Sequence, residues 1–365
     1  MSEVTELLAD LVRIDSVNPG LVPGGAGETR IAGFIADWLS AREFEVHRLE
    51  RNPGRPSIVG IARGTGGGRS LLFDGHTDTV GVGGYEGDPF DPAIADGRLH
   101  GRGSGDMKCG VAAMLVAADR ARRMRLKGDV IVAAVADEEH ASLGSEEVAE
   151  AFGADAVIVT EPTGMEIIVT HKGFVWADVI VTGRAAHGSR PDLGIDAIVM
   201  AGHFLVALGA EGQRLAATAP VPLLGTGSVH ASLIAGGHEM SSYPAECRVR
   251  LERRTVPGET VETVTAELQA IIARLGREVP GFAARLEIGF NRGPLVYPGG
   301  DAIVPLVQTV AEELTGKAPP LRGMTGWTDA AVFDARGIPS ILFGPVGEGF
   351  HAKRMGRHRL GRGGH

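Results

Sequence analysis

Two histidines and a row of carboxylates recur where an apolar run gives way to a polar turn. The first place is Phe73-Asp-Gly-His76-Thr-Asp78-Thr79. Residues two apart on a continuing strand project to the same side. A metal-binding His76 whose tautomer is fixed by Asp78 is one reading; a strand-end turn with ordinary polar residues is the other. The second place is Gly101-Arg-Gly-Ser-Gly-Asp106-Met-Lys-Cys-Gly110, directly before an apolar segment. A glycine-rich loop before a helix can cradle phosphate. This one lacks the spaced Gly-Lys-Ser/Thr of a P-loop and fits no dinucleotide fingerprint. Asp106 is then either an oxygen ligand or a helix N-cap.

Asp137-Glu138-Glu139 follows the apolar run that ends at Ala136, and Glu161 follows another that ends at Thr160. Adjacent acids repel one another unless a cation or solvent separates them. His351 lies just beyond the strand-like segment ending at Phe343. Taken singly, these are solvated acidic loops and a histidine near a chain end. Together they place nitrogen and oxygen donors at successive strand ends, where open α/β sheets collect ligands. Such a mixed set suits zinc, cobalt or manganese, and the lack of cysteine donors points to a hydrolytic site over a structural zinc.

The elements that must position these residues alternate along the first half. Leu71 to Phe73, Val130 to Ala136 and Ala156 to Thr160 read as strands, and Gly110 to Arg120 as a helix. Strands alternating with helices predict an α/β architecture: a mixed, largely parallel sheet flanked by helices. After Gly173 the texture changes. Strands are expected at Phe174–Gly183, Ser228–Ala235 and Cys247–Arg253, with helices at Gly194–Leu208 and Thr260–Leu275. This reads as a smaller α+β domain inserted into the first. The α/β texture returns with a helix at Ile303–Thr315 and a strand at Ser340–Phe343. The expected division is 1–173 and 290–365 for the catalytic domain and 174–289 for the insertion.

The length of 365 residues favours two domains, and 22% charged with 44% hydrophobic residues excludes wholesale disorder. A net charge of −9 disfavours a nucleic-acid binder. With only Cys109 and Cys247, a disulfide scaffold is excluded and a reducing cytoplasm is expected. No apolar run reaches the roughly 20 residues of a membrane span. Val4, Leu7, Leu8, Leu11 and Val12 fall at helical spacing, which reads as an amphipathic N-terminal helix and not a signal peptide. The stretch Ala352–His365 carries five Lys or Arg and no acid, a solvated basic tail or a patch for RNA or another acidic surface.

The ordered set His76-Thr-Asp78, Gly101-Arg-Gly-Ser-Gly-Asp106-Met-Lys, Asp137-Glu138-Glu139, Glu161-Pro and Gly-Glu-Gly-Phe-His351 resembles the acetylornithine deacetylase, succinyl-diaminopimelate desuccinylase and glutamate carboxypeptidase family of co-catalytic metallopeptidases. The similarity runs over nearly the whole chain. It implies two divalent ions, zinc with cobalt or manganese as alternatives. His76 and Glu161 would hold one, Glu139 and His351 the other, and Asp106 would bridge them. Asp78 would orient His76, and Glu138 would be the general base acting on a metal-bridging water. In the insertion, a dimerisation and lid domain by resemblance, Gly183-Arg-Ala-Ala-His187-Gly-Ser matches the histidine that stabilises the oxyanion in a neighbouring subunit. Arg254, in Arg254-Thr-Val-Pro-Gly258, matches the arginine that holds the substrate carboxylate. The implied activity is hydrolysis of the amide bond of N-acyl amino acids by a homodimer, of the acetylornithine deacetylase kind that serves arginine biosynthesis. A dipeptidase or carboxypeptidase of the same fold is the alternative.

Two departures stand out. Ser242 occupies the position, two before Pro244, where the family more often has Asn. After the last histidine such chains continue with an acidic strand and a closing helix, whereas this one continues Arg354-Met-Gly-Arg-His-Arg-Leu-Gly-Arg-Gly363. Codons for that stretch, read one frame over, can encode Asp-Glu-Trp-Val-Asp-Ile-Asp-Ser-Val-Val. The expectation is a frameshift near Lys353, in the gene or its sequence record. Coding DNA incompatible with that frame would overturn it. A frameshift would also admit a third reading, a metal-binding relative with impaired catalysis.

Overall fold

Apolar runs between polar turns become the central strands in the computed structural model, which describes residues 2–296, 299–348 and, as backbone, 357–359. His351 and the proposed frameshift point at Lys353 lie outside the described residues. The chain divides into two units: Met1–Val169 with Tyr297–Arg322 and Thr328–His365, and Thr170–Val296 with Gly323–Trp327. No helix among the described residues is long and apolar enough to cross a membrane.

In the first part of the chain the elements are α1 (Glu3–Val12), α2 (Thr29–Ser40), β1 (Glu45–Leu49), β2 (Ser57–Ala62), β3 (Leu71–His76), α3 (Lys108–Arg123), β4 (Val130–Val135), α4 (Leu143–Ala151), β5 (Ala156–Val159) and β6 (Ile167–His171). The second unit supplies β7 (Gly173–Thr182), α5 (Ala197–Ala216), β8 (Ser228–Gly236), β9 (Glu246–Thr255), α6 (Val261–Glu278) and β10 (Ala283–Arg292). Then follow α7 (Ile303–Thr315), β11 (Leu321–Met324), α8 (Ala330–Asp334) and β12 (Ser340–Leu342).

The large sheet has eight strands in the order β1-β2-β4-β3-β5-β12-β6-β11. Its centre is parallel: β3 pairs with β4 and β5, and β12 with β5, all in the same direction. Antiparallel pairs flank it, β1 with β2, β2 with β4, and β12 with β6. Helices must cover a sheet of this kind, and the sequence of β4 shows why: all six residues of Val-Ile-Val-Ala-Ala-Val are buried. The main core joins Leu7, Leu8 and Leu11 of α1, Ile31 and Ile35 of α2, and Val111 and Leu115 of α3 to Val132 and Ala134 of β4. The apolar stripe read at the N-terminus is therefore the core face of α1, which Ser2 caps by accepting from Thr5 N.

The second unit is an antiparallel sheet, β8-β9-β7-β10, with its helices on one face. Alternation does the sorting. Val175, Ala177, Val179 and Val181 of β7 join Cys247, Val249 and Leu251 of β9 in a core with Phe204 of α5 and Leu268 of α6. Truncating a fully buried ring such as Phe204 costs about 3–5 kcal/mol. The α5 helix starts three residues later than the sequence pattern suggested, because Asp196 caps it by accepting from Ile198 N and Val199 N. Strand β10 went unread: its alternating exposure is carried by Arg285, Glu287 and Gly289 on an edge, which is a weak apolar signal.

Candidate active site

Parallel strands end on one edge of the sheet, and the chemistry-bearing residues sit there. His76 is the last residue of β3, Asp137 to Glu139 follow β4, and Glu161 follows β5. Asp106 arrives from the glycine-rich loop before α3. That loop lacks the spacing of a phosphate-binding P-loop, and glycine serves close packing in it. Gly110 in the first turn of α3 lets the helix press on Thr160, where a Cβ would stand 2.0 Å from the carbonyl oxygen. Asp106 does not cap the helix either, since Met107 occupies the N-cap and no side chain bonds there.

His76 is the hub. Its ring Nε2 lies 3.1 Å from Asp106 Oδ1, 3.7 Å from Glu161 Oε1 and 3.8 Å from Glu138 Oε2. One donor atom each from His76, Asp106 and Glu139 falls within a 4.8 Å span, and so does one each from His76, Glu138 and Glu161. The ring's other nitrogen, Nδ1, donates to the backbone oxygen of Asp78 at 3.0 Å, with the Asp78 carboxylate 3.5 Å away. A proton on Nδ1 leaves Nε2 as the donor atom facing the carboxylates.

The Asp78 carboxylate has a second task that its spacing did not announce. Its two oxygens accept from Glu138 N at 3.1 Å and Glu139 N at 3.2 Å. It thereby holds the turn carrying both glutamates. Asn18 Nδ2 donates to Asp78 at 2.6 Å and to Asp137 at 3.0 Å, and Arg55 binds Asp137 at 2.7 Å while pairing with Glu28. These contacts keep Asp137 in a left-handed conformation, φ 70°, which a non-glycine residue adopts only when its surroundings hold it. A third row lies deeper: Ser145 Oγ donates to Asp329 at 2.6 Å and stands 3.4 Å from Asp74. Asp329 is thus a buried carboxylate beside the site, in the Gly326-Trp-Thr-Asp329 turn.

The electrostatics of this edge call for cations. Burial, with repulsion from Asp106, pushes the Glu139 carboxyl up to about 8. Glu138 and Glu161 are held well above the usual carboxylate range, first by burial and then by neighbouring carboxylates that His76 only partly offsets. Burial alone would depress His76; its hydrogen bonds with Asp106 and Asp78 and the charges of Glu138 and Glu161 outweigh this and hold it well above its ordinary value. Asp78 is lowered despite burial, because His76 and Asn18 stabilise its charge. Carboxylates crowded out of water around one imidazole form a hard nitrogen and oxygen donor set, which fits divalent metal ions.

The structure thus brings His76, Asp78, Asp106, Glu138, Glu139 and Glu161 together, all in the first unit. Asn18, Glu28, Arg55 and Ser145 were not singled out from the sequence, since no local spacing links them to the acids they support. The other two candidates lie in the second unit. His187 is exposed on a two-residue strand paired with Ser242–Tyr243, and its Nδ1 is 2.8 Å from Ser189 Oγ. Arg254 is on β9, where its Nε donates to Glu252 at 2.7 Å and its guanidinium lies over Phe174.

A largely parallel α/β sheet with a nitrogen and oxygen donor cluster at its carboxyl edge defines a metal-site hydrolase class. Residues 72–355 match the model of peptidase family M20/M25/M40, and the chain belongs to that family. It is 32% identical over 352 residues to an acetylornithine deacetylase of Myxococcus xanthus, covering 93% of this chain and 88% of that one. Among solved structures it resembles an M20 family metallo-carboxypeptidase from Sulfolobus solfataricus, with a TM-score of 0.79 at 17% identity over 99% of this chain and 95% of the other. It also resembles a dinuclear metal binding M20 peptidase from Bacillus subtilis, with a TM-score of 0.70 at 16% identity over 96% and 90% of the two chains.

Proposed function

We propose that this protein is a metal-dependent amidohydrolase of N-acyl amino acids, of the acetylornithine deacetylase kind. The observation that carries the reading is the donor cluster around His76, joined to the relationship with the Myxococcus xanthus deacetylase. His76 and Glu161 would hold one divalent ion and Glu139 and His351 the other, with Asp106 between them; zinc is the first candidate. Such ions, when bound, polarise an amide carbonyl and lower the pKa of water.

The chain's own residues do the rest. Glu138 accepts a proton from the attacking water at its carboxylate and delivers it to the departing amine nitrogen. A base whose proton affinity is raised by burial is suited to both halves of that transfer. Asp78 keeps Glu138 and Glu139 in place through their backbone N–H groups and fixes the His76 tautomer. Arg254 pairs with the substrate carboxylate, and His187 supports the oxyanion from a second subunit.

A homodimer is part of this reading. Residues 174–289 serve as the dimerisation and lid domain. Strand β8 is an exposed edge along nearly its whole length, with Leu233 and Ile234 more than half exposed, and Val199 and Val206 of α5 are exposed as well. Unprotected apolar edges of this kind call for a partner.

The test is amine release by purified, zinc- or cobalt-loaded protein from N-acetylornithine, other N-acyl amino acids and dipeptides. Turnover of acyl amino acids that Glu138→Ala abolishes is expected. Release from dipeptides alone would replace this reading with a dipeptidase. Silence across the panel from folded, metal-bound protein would replace it with an impaired relative.

A further inference from the structure

The face of the second unit's sheet opposite its helices carries a feature that the amide-hydrolysis chemistry leaves unused. Strand alternation sends Phe174, Trp176 and Asp178 of β7 and Arg248, Arg250, Glu252 and Arg254 of β9 to this side. Toward one end the face is an ordinary solvated ion ladder, with Arg248 and Arg250 on Asp178 at 2.5 and 3.5 Å. Toward the other end it is aromatic. Phe174 lies 5.3 Å from Trp176, 5.7 Å from Phe290 and 6.2 Å from Trp327, the last edge-on at 89°. Trp176 and Phe290 are 5.7 Å apart.

Aromatic residues are scarce in this chain, at 5%, and two of its 3 Trp are here. Phe174 is buried, whereas Phe290 and Trp327 are partly exposed. Trp176 is 44% exposed. Leaving a ring open to water costs roughly 25 cal/mol per Å² of apolar surface, so a patch of this composition on a face otherwise occupied by ion pairs points to a ligand.

Its charges say what kind. The register sets Phe174 between Arg254 and Arg292, which face it from the two neighbouring strands. Arg254 lies 5.4 Å from the Phe174 ring centre, and Arg292 lies 4.5 Å from Phe290 and 5.7 Å from Trp327. Glu252 accepts from both Trp176 Nε1 at 2.8 Å and Arg254 Nε at 2.7 Å, which orients ring and guanidinium together. Among the described residues, no hydrogen bond engages the terminal nitrogens of Arg254. The buried Lys172, whose Nζ donates to Thr226 O at 2.6 Å, sits close enough for Arg254 to add to the lowering of its pKa that burial begins. Two guanidinium groups, of Arg254 and Arg292, thus flank the rings against the single carboxylate of Glu252. They favour a carboxylate joined to an arene and repel a ligand with its own ammonium group.

We propose that this face, with the ligand's carboxylate on Arg254, packs the ligand's aromatic or large apolar group against the outer surface of the Trp176 and Phe290 pair. Within the N-acyl amino acids, substrates with aromatic or bulky apolar groups are then preferred over those with a cationic side chain such as ornithine. That the ligand is a substrate rests on the hydrolase reading above; that the face binds it does not.

Two measurements separate these. The first uses zinc-loaded Glu138→Ala protein titrated with N-acetyl-L-phenylalanine or N-acetylornithine while tryptophan fluorescence is followed. Saturable quenching by the phenylalanine compound, at least about tenfold tighter than by the ornithine compound, is expected. The second compares kcat/KM for the same pair and for N-acetylalanine in the wild type, Trp176→Ala and Trp176→Phe. Trp176→Ala lowers the value for N-acetylphenylalanine about tenfold, leaves that for N-acetylalanine within about twofold, and is rescued by Trp176→Phe. Hydrolysis of both compounds without preference, or equal losses on every substrate, overturns the inference and leaves the hydrolase reading standing. Selective quenching without any turnover keeps the inference and removes the hydrolase reading.

Discussion

One amide nitrogen, Asn18 Nδ2, spans two carboxylates: it lies 2.6 Å from Asp78 Oδ2 and 3.0 Å from Asp137 Oδ1. The two acids come from the ends of different strands, and both are fully buried. Asn18 therefore joins the turn after β3 to the turn after β4, and through Asp78 it holds the backbone of Glu138 and Glu139.

Removing that link should loosen the donor cluster without touching a donor. Asn18→Ala is expected to weaken zinc affinity about 10–100-fold, as is usual when a ligand's supporting partner is lost. A competition titration against a chromophoric chelator measures this. Affinity equal to wild type, in a protein of normal secondary structure, would show that the turn holds itself.

The raised carboxyls make a prediction about pH in chelator-treated protein. Glu139 titrates at about 8 in the folded chain and near 4.5 when unfolded, so the folded state carries the extra proton between those values. Its contribution is fully present below the unfolded value and is lost as pH climbs toward the folded one. Glu138, Glu161 and His76, all shifted upward, act in the same sense. Lys108, lowered to about 7 chiefly by burial, works in the opposite sense only above that pH. Tm in EDTA should thus fall from about pH 5 to about pH 7, and zinc uptake in that range should release protons, measurable by calorimetry in two buffers. A Tm that is flat or rises over the interval would contradict it.

Neighbouring arginines should part company on substitution. Arg253 is 1% exposed and is held by Glu259 at 2.6 Å and Glu267 at 3.3 Å. Arg253→Ala empties a buried position and removes one partner each from Glu259 and Glu267, which retain Val256 N and Arg214, and should cost about 1–3 kcal/mol in urea unfolding. Arg254, on the other face and partly exposed, should leave the unfolding midpoint nearly unchanged when replaced by alanine while raising KM for carboxylate-bearing substrates. Equal destabilisation by the two changes would make Arg254 a structural residue.

The exposed edge gives a test of assembly. Light scattering is expected to find a dimer for the wild type and a monomer for Leu233→Lys, since a lysine on an edge strand blocks pairing. A wild-type monomer, or a dimer unaffected by the charge, would place the interface elsewhere or remove it.

What the sequence determined by itself was the local grammar. Apolar runs such as Val130–Val135 could only be buried strands, and the acids just after them, Glu138, Glu139 and Glu161, had to emerge at strand ends. The helical stripe Leu7, Leu8, Leu11 fixed one face of α1 in the same way. Periodicity of this sort is written within a few residues, so one segment suffices to read it. Convergence is not. That His76 would face Asp106, that Asp78 would bind the backbone of Glu138 and Glu139, and that Asn18 and Arg55 would tie Asp137 all depend on pairings across 30 to 119 positions. The order of strands in the sheet sets those pairings. The shifted carboxyls belong to the same level, because desolvation arises only when separate strands shut water out. The aromatic face of the second unit is likewise a product of register: Phe174, Arg254 and Arg292 meet because three strands align, and no spacing along the chain foretells it.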